Sequence, residues 1–66
     1  MRIRIDKEAN ALYFRLGETA VVESEEVQPG VILDFNAQNQ VVGVEFLNLT
    51  ARVPAEQLRV MQFETA

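Results

Sequence analysis

The chain has 66 residues, 48% of them hydrophobic and 24% charged, with a net charge of −4 and neither cysteine nor histidine. That length allows one domain at most. The lack of cysteine excludes disulfides and thiolate metal sites, and the lack of histidine removes the side chain that most often serves as metal ligand or general base. The cations are Lys7, Arg2, Arg4, Arg15, Arg52 and Arg59, too few and too dispersed for nucleic-acid binding by this chain alone.

A chain this short buries only about 60% of the surface its unfolded form exposes. Small domains without disulfide or metal staples lean on self-association, and self-association is the expectation here. The opening "MRIRIDKE" is charged and lacks the apolar core of a signal peptide. No apolar run approaches the roughly 20 residues of a membrane helix. A cytoplasmic protein without membrane contact is therefore expected.

In chain order, "MRIRI" alternates, with Ile3 and Ile5 opposite Arg2 and Arg4, and reads as a short strand. "NALYFRL" sets Leu12, Phe14 and Leu16 against Ala11, Tyr13 and Arg15 and reads as a second. The "DKEAN" between them has the acidic and amide side chains that satisfy turn donors, so a hairpin is predicted. Gly17 ends the second strand. "AVVESEEV" reads as a strand beginning near Ala20 and loosening by Glu25. Pro29 and Gly30 suit a type II turn.

"VILDF" is apolar on both faces and predicts a strand covered on both sides. In "NAQNQ", Asn36 suits an Asx turn, and Asn39 is of a type that tolerates the left-handed region. "VVGVEF" is the last clear strand, and Gly43 within it predicts a bulge or a close neighbour. "NLTAR" suits one helical turn. Pro54 can open a short helix, "PAEQLR", with Glu56 early and Arg59 late. Residues 54–64 read equally as helix or, through "VMQFE", as a sixth strand.

These motifs resemble the family called domain of unknown function 2283, small prokaryotic proteins. The matching residues are Asp6, Glu8, Asn10, Leu12, Tyr13 and Phe14, then Pro29, Gly30, Asp34, Gly43, Glu45 and Phe46. The resemblance covers roughly residues 1–52. Ile5 stands where the family often has Tyr, Asn10 where it often has Asp, and Asn39 where it often has Gly. The resemblance implies no established activity. From gene neighbourhood it implies an antitoxin-like role, or a small adjacent protein as partner.

Four groups of residues invite a functional reading. Asp6, Glu8 and Asn10 have the spacing that opens a calcium loop. The glycine and closing carboxylate of such a loop are missing, so a polar hairpin tip is expected instead. Glu23, Glu25 and Glu26 suit either a dock for a basic protein partner or charges that guard an edge strand. Asp34 and Glu45 fall on strands expected to be hairpin neighbours. Two close carboxylates can share acid–base work, but no nucleophile or oxyanion donor accompanies them. Each is expected to cap backbone donors or pair with Arg52 or an N-terminal arginine. Tyr13, with Arg4 or Arg15, suits an interface or ordinary cross-strand packing.

The sequence thus predicts a mainly β fold, a small antiparallel meander of about five strands with a short C-terminal helical or irregular segment. Its core would be Ile3, Ile5, Leu12, Phe14, Leu16, Val22, Leu33, Phe35, Val42, Val44 and Phe46. The C-terminal segment or a second copy would cover "VILDF". The expected function is non-enzymatic, a protein-interaction module acting as a homo-oligomer, with no catalytic residue, metal or cofactor. Tyr13, Arg15, Glu23, Glu25 and Glu26 are the candidate contacts. The alternative is a metal- or small-ligand-binding protein using Asp34 and Glu45 or the Asp6–Glu8–Asn10 turn.

Overall fold

The computed structural model describes all 66 residues. Five strands form: β1 (Arg2–Asp6), β2 (Ala11–Arg15), β3 (Glu23–Gln28), β4 (Val31–Phe35) and β5 (Val41–Phe46). They make one sheet in the order β1-β2-β5-β4-β3, each neighbouring pair antiparallel. This is the mainly β fold that the alternating pattern predicts. The meander holds for β3, β4 and β5. The β1–β2 hairpin then docks through β2 on β5, so chain order breaks once.

Residues 16–22 carry the chain from β2 to the far edge at β3. Three strand spacings come to about 14 Å, well within the reach of that segment at about 3.3 Å per residue. Arg15 ties the crossing down: its Nε donates to the Gly17 carbonyl at 3.1 Å and its Nη2 to the Thr19 carbonyl. At the two ends, the Leu16 N–H donates to the Val42 carbonyl at 2.8 Å and the Val22 N–H to the Phe35 carbonyl at 2.9 Å.

The turns obey their side chains. The Ala9 N–H donates to Asp6 Oδ1 at 3.0 Å. Gly30 has φ 80 and Asn39 φ 60, as the Pro-Gly and "NAQNQ" readings require. Asn36 Oδ1 accepts from the N–H groups of both Gln38 and Gln40, each at 3.0 Å. Its amide donates to Gln40 Oε1 at 3.0 Å, and the residue is buried, with 4% exposure. Asn10 and Asn48 also take positive φ.

Directly paired residues share a face, so the register sorts the sheet. Ile3, Ile5, Leu12, Phe14, Leu33, Val31, Val44 and Phe46 lie on one face. Arg2, Arg4, Asp6, Tyr13, Arg15, Glu45, Gly43, Ile32, Asp34, Ser24 and Glu26 lie on the other. After β5 come two 3-10 turns, η1 (Leu49–Ala51) and η2 (Ala55–Arg59). They cross one end of the apolar face. Arg52 stands 5.8 Å from the Phe46 ring centroid and donates to the Pro29 carbonyl at 3.0 Å. Leu49 is buried, and Ile5, Leu49, Ala55 and Leu58 line one cavity.

Several expectations need correction. β3 begins at Glu23, not Ala20, and continues through Glu25 to Gln28 with a register shift after Glu26. Val22 falls in the crossing segment and is 62% exposed, so it is no core residue. Leu16 lies just past β2 and is 48% exposed. Residues 60–66 form no sixth strand. No helix is long and apolar enough to cross a membrane.

Asn36→Ala should cost about 2–3 kcal/mol, because two turn N–H groups lose their acceptor in a buried site. Urea unfolding of the two chains checks this; a loss below about 0.5 kcal/mol would mean that water replaces the amide.

Candidate functional site

The polar face carries a line of hydrogen bonds across four strands. Tyr13 on β2 sits beside Glu45 on β5. Its ring does not stand over that partner but leans diagonally across Gly43. From there the Tyr13 hydroxyl donates to Asp34 Oδ2 on β4 at 2.6 Å. Ser24 on β3 donates to Asp34 Oδ1 at 2.6 Å. Arg15 Nη1 reaches the Tyr13 oxygen at 3.5 Å.

Gly43 makes the crossing possible. A Cβ placed there would come within 2.5 Å of the Tyr13 hydroxyl oxygen, 3.0 Å of Asp34 Oδ2 and 3.2 Å of Tyr13 Cζ. The close neighbour predicted over Gly43 is the Tyr13 ring. Donation to the Asp34 carboxylate holds the Tyr13 hydroxyl above its ordinary titration range near pH 10. Burial adds to that upward shift, and Arg15 opposes it.

Asp34 and Glu45 share the polar face but are not direct partners: Asp34 pairs with Gly43, and Glu45 with Ile32. Neither carboxylate is within ion-pairing distance of an arginine and neither accepts from a backbone N–H, so neither of the two expected roles forms. Asp34 is instead bound by two hydroxyls, and Arg52 is engaged at Pro29 and Phe46. The one ion pair is Arg4 with Asp6, at 3.8 Å and largely in water. Arg4, Asp6, Tyr13, Asp34 and Glu45 line an open groove of about 400 Å³. No group of three or more carboxylates is close enough to hold a metal ion.

The first turn is a joint rather than a ligand loop. Asp6 is used by the Ala9 N–H. Asn10 Nδ2 donates to Thr50 Oγ1 at 3.0 Å, while the Thr50 N–H donates to Asn10 Oδ1 at 3.2 Å. The Asn10 carbonyl takes the Leu49 N–H at 2.9 Å. Glu8 is exposed. Glu23, Glu25 and Glu26 are exposed on the edge strand β3. Glu23 and Glu25 lie opposite Phe35 and Leu33, on the apolar face, and Glu26 lies opposite Ile32 on the polar one. The roles of Ser24 and Thr50 escape sequence reasoning, since the β3–β4 register brings Ser24 to Asp34 and the placement of η1 brings Thr50 to Asn10.

Gly43→Ala should cost about 1–3 kcal/mol through overpacking. Much of that cost should vanish in a Tyr13→Phe background, which removes the oxygen closest to the new methyl. A double-mutant cycle with coupling under about 0.3 kcal/mol would show that Tyr13 simply swings away. The folded chain also holds the Tyr13 proton more tightly than the unfolded chain does. That stability is complete below about pH 10 and is lost as pH rises through the raised folded value. Unfolding free energies measured from neutral to strongly alkaline pH should fall more steeply for the parent chain than for Tyr13→Phe.

No curated protein and no solved structure matches the chain. A family model described as "Protein of unknown function (DUF2283)" matches residues 2–49. Those residues include all five strands, the Tyr13–Gly43–Asp34 crossing and Asn10. The chain belongs to the DUF2283 family of proteins of unknown function.

Proposed function

We propose that this chain is a non-enzymatic protein-interaction module that works as a homo-oligomer. The observation that carries the reading is how little of itself a single copy buries. Only six of 66 residues are buried, four of them hydrophobic, and no large side chain is fully enclosed. The accessible surface is 5238 Å², where a compact monomer of 7.5 kDa exposes about 4,250 Å². The radius of gyration is 12.8 Å, against about 11 Å for a compact domain of this length. Part of the excess lies on the tail, where Val60, Met61 and Phe63 are exposed.

Catalysis has little support: both hydroxyls nearest Asp34 are spent in donating to its carboxylate. A basic partner is favoured by one observation. All six residues of β3 are exposed, three of them glutamates, at an edge that nothing covers. An antitoxin-like role would use that acidic edge.

Sedimentation at micromolar concentration should show a dimer or larger species. A single 7.5 kDa species throughout would remove the homo-oligomer. For the basic partner, a pull-down with the parent chain should retain a protein that the Glu23→Ala, Glu25→Ala, Glu26→Ala chain loses. Equal retention would mean that the acidic edge does not bind it.

A further inference from the structure

An antiparallel sheet can join a second copy in two ways, edge to edge or face to face. The edges are poor candidates. β3 presents Glu23, Glu25 and Glu26, and its register shifts between Glu26 and Gln28; like charges and irregularity both discourage strand pairing. On the opposite edge, β1 presents Arg2 and Arg4 to water. An antiparallel β1–β1 pairing would bring the arginines of two copies together somewhere along the strand.

The apolar face is different. Ile3, Ile5, Leu12, Phe14, Leu33 and Val44 share it across four adjacent strands. None of the six is buried in a single copy. The C-terminal segment crosses only the end near Ile5 and Phe46. The polar face has no comparable deficit, because Tyr13, Ser24 and Asp34 satisfy one another there.

Resting on the homo-oligomer reading above, we infer that the occupant of the apolar face is a second copy of this chain, packed sheet on sheet. The area allows it. One copy exposes about 1,000 Å² more than a compact monomer of its mass, part of it on the tail, and a standard interface takes about 800 Å² from each partner. Aligned sheets pack about 10 Å apart, which gives the missing layer that a single sheet lacks. Glu23 and Glu25 lie on the same face at its β3 margin. They form a charged rim that stays in water when the apolar strands meet. The pair then presents two polar faces outward, each with its Tyr13–Asp34 crossing.

The test uses the unmodified chain, mixing isotopically labelled and unlabelled copies. Filtered nuclear Overhauser spectra should connect methyl groups of Ile3, Ile5, Leu12, Leu33 and Val44 between copies. Two variants of neighbouring residues on opposite faces complete it. Leu33→Asp should weaken self-association by about a hundred-fold or more, while Ile32→Ser should leave it within about three-fold, each checked for folding by circular dichroism. If the chain associates but intercopy signals join β1 or β3 backbones, the sandwich is wrong and the homo-oligomer stands. Association unaffected by a folded Leu33→Asp chain overturns the sandwich in the same way. If the unmodified chain is monomeric, both fall.

Discussion

A sheet gains hydrophobic stabilisation only from the face it packs against another layer, and the residues that follow β5 cover only one end of that face. Five strands use most of the residues before position 47. The remaining C-terminal residues supply two turns of 3-10 helix and an extended tail. These reach across one end of the apolar face and stop. That shortage leaves Ile3, Phe14, Leu33 and Val44 only half-buried. The buried apolar residues are few: Leu49, Val31, Ala11 and Val42.

The polar face solves a different problem. With chain order broken between β2 and β3, β2 has to be held against β5 by something other than a tight hairpin. Backbone pairing does most of this, in a register from Leu12–Phe46 to Arg15–Gly43. Tyr13 adds a side-chain tie that spans β5 and ends on β4. That tie works only because Gly43 leaves room for the ring. Asp34, bound from both sides by Tyr13 and Ser24, joins β2 to the β3 edge over a strand that contributes no side chain at the crossing. A charge-assisted hydrogen bond in a half-exposed site is worth more than a neutral one, so an aspartate suits this junction better than an amide would.

Much of this architecture is legible in the residues. Period-two alternation marks β1, β2, β4 and β5, and Asn36, Asn39 and Gly30 mark their turns for the conformations they adopt. Gly43 announces a close neighbour. Strand order is not legible, because alternation says which face a residue takes and nothing about which strand lies alongside. The limits of β3 are hidden for a related reason. In "ESEEVQ" the edge position leaves every side chain in water, so no apolar period bounds the strand, while the apolar Val21 and Val22 before it belong to the crossing segment. The Asn10–Thr50 joint spans 40 positions and carries no local signal. Asp34 stands out in the sequence as an isolated acid, but topology chooses its partners, and it brings two hydroxyls rather than an arginine.

The two faces also divide the chain's prospects for recognition. In the proposed sandwich, apolar residues covered by a second copy would be withdrawn from any other partner, and specificity toward another protein would have to come from the surfaces still outside. These are the polar face and the glutamate edge. On the polar face the Arg4, Asp6, Tyr13, Asp34 and Glu45 groove mixes both signs of charge, and its Tyr13 is already fixed by Asp34 rather than free to reorganise. A fixed aromatic loses little rotamer freedom on binding, which favours the groove over the long glutamate side chains of β3 as a site of specificity. The glutamates act over a longer range and suit attraction of a basic partner more than its discrimination. A homo-oligomer would present each of these surfaces more than once, and repeated weak contacts gain from that multiplicity.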